Sequence, residues 1–216
     1  MNILIQTNNH FKKLQNACIE SWESEALLSG FKISLLDYTI DDRNYIENLI
    51  VFCENEKLNY IGISFDDLFI SECYFPKAEL IQKIMEQKQL DYLRLDGRPA
   101  GRGKFCITID GEKYYYISNN KHDLSLVFSF FSLELLKRLK KNDIKSPWDI
   151  ERFCEKNNVK GISPRKRKFK YNNLLVKDKI DIVSVLESGW HLPLGISLKR
   201  FLSRKIKRLQ RIVRMI

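Results

Sequence analysis

Short apolar runs in the first 95 residues alternate with longer stretches where apolar side chains recur every three or four positions. The short runs predict strands over 2–6, 32–36, 60–65 and 91–95. The longer stretches predict helices over 10–28, from Asp41 onwards and from Pro76 onwards. Because strands that alternate with helices form parallel sheets, we predict an α/β fold: a mostly parallel, Rossmann-like sheet with helices on both faces.

The second half of the chain has a different pattern. Two short strands, over 104–108 and 113–117, flank Asp110-Gly111, which is a strong signal for a hairpin turn. A stretch rich in Leu and Phe predicts a helix over 123–140, and Ser146-Pro147 begins another helix. The 216 residues fit one domain, and the only candidate boundary lies near 160–170.

Polar side chains follow each of the first three predicted strands. Thr7, Asn8 and Asn9 follow the first strand, Asp37 ends the second, and Asp66 with Asp67 ends the third. Ligands of such sheets bind beyond the carboxyl ends of the strands. We therefore expect these residues to meet at one edge of the sheet and to form a binding site there.

Asp66 and Asp67 are adjacent, so in an extended chain they would point in opposite directions. A turn directly after the strand would let both serve one site. Carboxylate oxygens are the ligands that Mg²⁺ and Mn²⁺ prefer, and these cations also bind the oxygens of a diphosphate. The pair therefore predicts a divalent metal site, and the alternative is a solvated strand end that begins a loop.

The string YLRLDGRPAGRGK places Arg94, Asp96, Arg98 and Arg102 among three glycines. Arginine matches the geometry of phosphate oxygens, and glycine allows a ligand to approach the backbone closely. The spacing fits no known phosphate-loop pattern. We predict that Arg94 and Arg98 bind a phosphate-bearing ligand, with a solvated surface loop as the alternative.

Two further acids, Asp149 and Glu151, fall in the first turn of the helix that Ser146 begins. A carboxylate in a pocket beside Trp148 can act as a general base. The alternative is that both acids stabilise the positive end of the helix dipole.

The net charge of +10 is concentrated at the C-terminus. Eight of the 37 basic residues lie within 198–216, which has no acid, so the rest of the chain carries 29 basic against 27 acidic residues. These eight are Lys199, Arg200, Arg204, Lys205, Lys207, Arg208, Arg211 and Arg214. Apolar residues at helical spacing between them predict a basic amphipathic helix over 196–216 that lies on an anionic membrane surface. The alternatives are a helix packed on the domain and, less favoured, contact with nucleic acid.

Three features predict a cytoplasmic protein, which the basic tail would hold on the inner face of the plasma membrane. Five scattered cysteines without a CxxC pair argue against disulfides and a zinc site. No apolar stretch reaches the roughly 20 residues that span a bilayer, and we expect no signal peptide.

Three stretches of this chain resemble a known family. TNNHFKKLQNACIESWE resembles the opening loop and first helix of bacterial glycosyltransferases of the GT-A type, in the group that acts on surface polysaccharide or lipopolysaccharide. YIGISFDDLFI resembles their metal-binding acidic motif, although that motif usually has a residue between its two acids. YLRLDGRP and SPWDIERF resemble the acceptor half of one branch of the family.

The resemblance implies a GT-A-like catalytic domain over 1–190, with a nucleotide-sugar half (1–95) and an acceptor half (96–190). It implies a nucleotide-diphosphate sugar as donor, with its base near Thr7, Asn9 and Asp37. It also implies Mn²⁺ or Mg²⁺ at Asp66 and Asp67, and Glu151 or Asp149 as the general base. The acceptor would be a glycan or a lipid-linked molecule, and inversion at the anomeric carbon is favoured.

Two other functions stay open at this point. One is a metal-dependent nucleic-acid-binding protein or nuclease, which the nearly neutral body of the chain argues against. The other is a non-catalytic, membrane-associated protein. It would bind no nucleotide sugar.

Overall fold

This computed structural model describes most of the chain up to residue 180. The described residues are 1–7, 12–37, 44–66, 68–97, 102–118, 123–144, 149–150, 153, 158–166, 168–173, 175–176 and 179–180. The predicted tail helix over 196–216 therefore lies outside them, as do Asn8, Asn9, Asp67, Arg98 and Glu151.

Four helices and twelve strands lie within the described residues. The helices are α1 (Lys12–Leu28), α2 (Tyr45–Asn55), α3 (Ala78–Lys88) and α4 (Leu133–Lys141). The strands are β1 (Asn2–Thr7), β2 (Lys32–Asp37), β3 (Tyr60–Phe65), β4 (Leu68–Glu72), β5 (Tyr92–Arg94), β6 (Phe105–Ile109), β7 (Glu112–Tyr116), β8 (Ser129–Ser132), β9 (Gly161–Pro164), β10 (Lys170–Asn173), β11 (Leu175–Val176) and β12 (Lys179–Ile180).

Eight of these strands form one sheet in the order β2-β1-β3-β8-β5-β9-β7-β6. The strand β1 runs parallel to β2 and β3, and β5 runs parallel to β9. Because β8 is antiparallel to both β3 and β5, the group of β1, β2 and β3 runs in the same direction as the group of β5 and β9. Only β7 and β8 therefore run against the other six strands, so the predicted mostly parallel sheet is confirmed.

Each face of the sheet carries its own hydrophobic core. Ile3 and Ile5 point into the first core, with α1 and α3, whereas Leu4 between them points into the second core, with α2 and α4. The same alternation separates Leu93 in the first core from Tyr92 in the second. This two-residue period of a strand explains why an all-apolar run is buried on both sides. Helices on both faces are thus confirmed.

The predicted helix over 123–140 is wrong in its first part. Residues 129–132 form β8, which inserts between β3 and β5, and α4 begins only at Leu133. Ser132 caps α4, since its Oγ accepts a hydrogen bond from the Leu135 amide at 3.0 Å. Burial between two strands therefore overrides the helical spacing of the Leu and Phe residues.

The hairpin of β6 and β7 is confirmed, with Asp110 and Gly111 both at positive φ in its turn. The candidate boundary near 160–170 is wrong, because Gly161–Pro164 is a buried strand of the main sheet. Lys170–Asn173 then pairs with β4 in a separate two-stranded sheet.

Candidate active site at the carboxyl edge of the sheet

The ends of the first three strands meet at one edge of the sheet, as predicted. Thr7 pairs with Asp37 in the register of β1 and β2, and Gln6 pairs with Phe65 on the other side. The Thr7 hydroxyl donates to the Leu36 carbonyl at 3.3 Å, which ties the two strand ends together. The candidate donor residues Thr7, Asp37 and Asp66 therefore lie on three neighbouring strands.

Asp66 occupies a turn directly after β3 and is 6 % exposed. The strand β4 begins at Leu68, so the described residues of the motif YIGISFDDLFI lie in two strands and, at Asp66, in a turn. The structure thereby holds one buried carboxylate at the edge where ligands of parallel sheets bind.

The predicted metal site rests on Asp66 among the described residues. No group of three His, Cys, Asp or Glu side chains that could hold a metal ion occurs in the part of the chain that the structure describes. A carboxylate suits a hard cation that keeps several water or phosphate oxygens as ligands. The donor chemistry of Asp66 thus fits Mg²⁺ or Mn²⁺, with Asp67 as the second predicted ligand.

Arg94 and Asp96 form a buried pair at the end of β5. The side chain of Arg94 is 2 % exposed and that of Asp96 is fully buried, and Nη2 lies 4.0 Å from Oδ2. Among the described residues, the Nε and Nη1 atoms of Arg94 and the Oδ2 atom of Asp96 have no hydrogen-bond partner. A buried guanidinium with unpaired donors is costly, and an anionic ligand would reduce that cost.

The other oxygen of Asp96 fixes the loop after β9. Asp96 Oδ1 accepts hydrogen bonds from the backbone amides of Lys168 at 2.7 Å and Phe169 at 3.3 Å. The Ser163 hydroxyl donates to the Asp96 carbonyl at 3.2 Å. Asp96 therefore joins the ends of β5 and β9 and restrains the position of Arg94.

The sheet register relates Arg94 to the end of β3. Arg94 pairs with Ser129 on β8, and Ser129 pairs with Ile63 on β3, three residues before Asp66. With strands about 4.8 Å apart, the β3 and β5 backbones are about 10 Å apart. Asp66 lies a further three residues, about 10 Å, along the chain from the level of Arg94, so the two backbones are about 14 Å apart.

The acceptor-side acids are described only in part. Asp149 is half-buried and helical, and the neighbouring Ile150 is fully buried in the second core with Phe153. Asp149 therefore lies beside the core that holds α2 and α4. Glu151 and Trp148 lie outside the described residues, so their predicted roles stay predictions.

The sequence pattern points to Arg94 and Arg98 and does not identify Asp96 as a site residue. The available signal was an acid two residues after an arginine at a strand end, followed by Gly97. A Cβ on Gly97 would lie 2.3 Å from the Lys166 carbonyl oxygen, so only glycine fits this close crossing. Arg102, the remaining arginine of this string, is exposed.

Three solved structures are similar to this chain at low sequence identity. A197 from STIV is 10 % identical, with 82 % of this chain and 86 % of that chain covered and a TM-score of 0.47. S. aureus TarS 1-349, in complex with UDP-GlcNAc, is 13 % identical over 79 % of this chain and 57 % of that chain, with a TM-score of 0.45. UDP-glucose pyrophosphorylase, complexed with UDP-glucose, is 12 % identical over 87 % and 78 %, with a TM-score of 0.43.

These similarities do not assign an activity to the chain. No protein-family model matches the sequence. No curated protein matches it either. Among the described residues, no helix has both the length and the apolar character to cross a membrane.

Proposed function

We propose that this protein is a glycosyltransferase that moves a sugar from a nucleotide-diphosphate donor to a surface-glycan or lipid-linked acceptor. The observation that carries the proposal is the buried Arg94, whose Nε and Nη1 have no hydrogen-bond partner in the described part of the chain, at the same sheet edge as the buried Asp66. A diphosphate offers the oxygens that the guanidinium lacks. Each charge-assisted hydrogen bond of this kind contributes about 1.5–3 kcal/mol.

The donor would lie along the carboxyl edge from β2 to β5. Thr7, Asn9 and Asp37 would contact the nucleoside, and Arg94 with Arg98 would bind the diphosphate. Asp66 and Asp67 would hold a divalent cation, which supplies positive charge that offsets the leaving diphosphate. Arg94 would serve the same purpose from the β5 side, since its charge is desolvated and fixed in place.

The acceptor half would supply the proton acceptor. Glu151, or Asp149 in the same helical turn, would take the proton from the attacking acceptor hydroxyl. The hydroxyl oxygen forms the new bond to the anomeric carbon, and the bond to the diphosphate breaks with charge developing on the leaving group. One displacement of this kind inverts the configuration.

The test is a thermal-shift titration with UDP, GDP, CDP and UDP-GlcNAc, each with and without Mn²⁺. A ligand at a hundred times its dissociation constant stabilises the protein by about 2.7 kcal/mol. We expect one nucleotide to raise Tm, and we expect Arg94→Leu and Asp66→Asn to reduce its affinity at least tenfold.

Arg138 provides the matched control. It lies at the opposite end of β5, where its Nη2 pairs with Asp91 at 2.7 Å. Arg138→Leu should leave nucleotide affinity unchanged. Because Arg94→Leu leaves Asp96 unpaired, a double variant with Arg94→Met and Asp96→Leu removes both buried charges at once. If that double variant folds and binds nucleotide like the wild type, the pair is structural and the proposal is wrong.

A further inference from the structure

An aromatic and basic surface lies on β6, β7 and the end of β9. The Phe105 and Tyr115 rings meet edge to face with centroids 6.0 Å apart, and the Arg165 guanidinium carbon lies 3.8 Å from the centroid of the Tyr115 ring. We name these three residues the aromatic platform. Phe105 is 53 % exposed and Arg165 is also exposed, so these side chains face solvent and are not part of either hydrophobic core.

The aromatic platform lies on the same face of the sheet as Arg94. Tyr114 and Tyr116 point into the first core, so Tyr115 points to the opposite face. Leu93 also points into the first core and Tyr92 into the second, which puts Arg94 on the Tyr92 side. The exposed platform and the buried Arg94 therefore share one face of the sheet.

The platform and Arg94 are also level along the strands. Leu93 pairs with Ile162, which puts Arg94 level with Ser163, and Ser163 pairs with Tyr115, which pairs with Phe105. With strands about 4.8 Å apart, the backbone of Tyr115 is about 10 Å from the backbone of Arg94, and the backbone of Phe105 is about 14 Å from it. This is the span of two or three sugar rings.

The charge around the platform is positive. Arg102, Lys104, Lys113 and Lys166 are all exposed near it. The nearby acid Glu112 already pairs with Lys168 at 2.8 Å. An occupant of this surface would therefore gain from carrying carboxylate or phosphate groups.

We propose that the aromatic platform is the acceptor subsite and that it binds an acceptor glycan with negatively charged groups. This rests on the proposed function. The aromatic faces pack against the apolar C–H faces of sugar rings, and Arg165, restrained over Tyr115, forms a two-pronged contact with a carboxylate or phosphate. The platform lies on the far side of Arg94 from Thr7 and Asp37, so it faces the acceptor and not the nucleoside.

The test measures binding of three probes to the full-length protein by titration calorimetry: tetragalacturonic acid, maltotetraose and an octamer of uridylate. We expect tetragalacturonic acid to bind more tightly than maltotetraose. Phe105→Ala and Tyr115→Ala should each weaken it at least tenfold. Arg165→Gln should weaken tetragalacturonic acid but not maltotetraose. Leu27→Ala serves as the control, since Leu27 is 51 % exposed on α1, and it should change nothing.

UDP binding, measured on the same variants, separates the two proposals. If UDP binds all variants equally while tetragalacturonic acid binds none or ignores the substitutions, the subsite is wrong and the donor site stands. Tighter binding of the uridylate octamer than of tetragalacturonic acid, lost on Phe105→Ala, also overturns the subsite. If the wild type binds tetragalacturonic acid through the platform but no nucleotide, the surface binds glycans and the glycosyltransferase proposal fails.

Discussion

Two arginines flank β5, and their surroundings differ. Arg138 is 40 % exposed and pairs with a partly exposed Asp91, so its ion pair is worth at most about 1 kcal/mol. Arg94 is buried and 4.0 Å from a buried Asp96, a distance too long for a hydrogen bond. Burial of its charge without a hydrogen bond to Asp96 is costly, and the proposed ligand would offset that cost.

Tyr114 gives a prediction for alkaline pH. Burial, with a further contribution from the Glu112 carboxylate, raises its pKa above the usual 10. The unfolded chain therefore loses the phenol proton first, so the stability tied to this group is full below pH 10 and falls as the pH rises above it. At one pH unit above the usual tyrosine pKa, the Tyr114→Phe protein should have lost about 1.4 kcal/mol less of its free energy of unfolding than the wild type. Urea denaturation of both proteins between pH 8 and pH 11 measures it, and parallel curves would contradict it.

At the scale of elements, Gly97 sets how closely the end of β5 crosses the chain after β9. A Cβ here would lie 2.3 Å from the carbonyl oxygen and 2.5 Å from the carbonyl carbon of Lys166. Since backbone must move, Gly97→Ala should destabilise the protein by about 1–3 kcal/mol and weaken nucleotide binding by displacing Asp96. Chemical denaturation and the nucleotide titration measure the two effects.

Gly111 is the control for that substitution. Its φ is +79° and an added Cβ would meet nothing within 4 Å. Asn adopts this conformation more readily than other residues that carry a Cβ, so Gly111→Asn should cost about 1 kcal/mol, through backbone strain alone. A Gly97→Ala protein as stable as Gly111→Asn would show that the crossing is not tight.

The elements also show where local sequence is informative. The prediction of β3 over 60–65 matches the structure, because a short apolar run between turn signals is stable only as a strand buried inside a sheet. The sequence pattern does not predict β8, because Phe130 and Phe131 suit either a helix or a strand. The open position between β3 and β5 in the sheet favours the strand. The same position places Ser129 beside Arg94.

For the whole molecule, the basic tail predicts membrane association. Its residues lie outside the described part of the chain, so the prediction rests on their sequence. Reversing the charge of Arg204, Lys205, Lys207 and Arg208 in the full-length protein should weaken binding to vesicles with 30 % phosphatidylglycerol at least a hundredfold, since each basic residue near an anionic surface contributes about 1 kcal/mol. Vesicle sedimentation measures this.

A control with equal charge change uses exposed residues of the domain. Reversing Lys57, Lys83, Lys88 and Lys141 should leave vesicle binding within a few-fold of the wild type. Equal losses in both variants would mean that net charge, and not the tail, drives the association. Binding to neutral phosphatidylcholine vesicles that matches binding to anionic ones would also contradict the prediction.

The sequence alone determined the α/β class and predicted the meeting of Thr7, Asp37 and Asp66, because side-chain periodicity is local and strands that alternate with helices form a parallel sheet whose carboxyl ends share one edge. Tertiary structure alone decided that β8 and β9 complete the sheet, that Arg94 and Asp96 are buried together, and that Phe105 and Tyr115 share a face with Arg94. These features depend on pairings between residues 35 to 69 positions apart. Such pairings are selected by the burial available in the assembled sheet, which no short window of sequence contains.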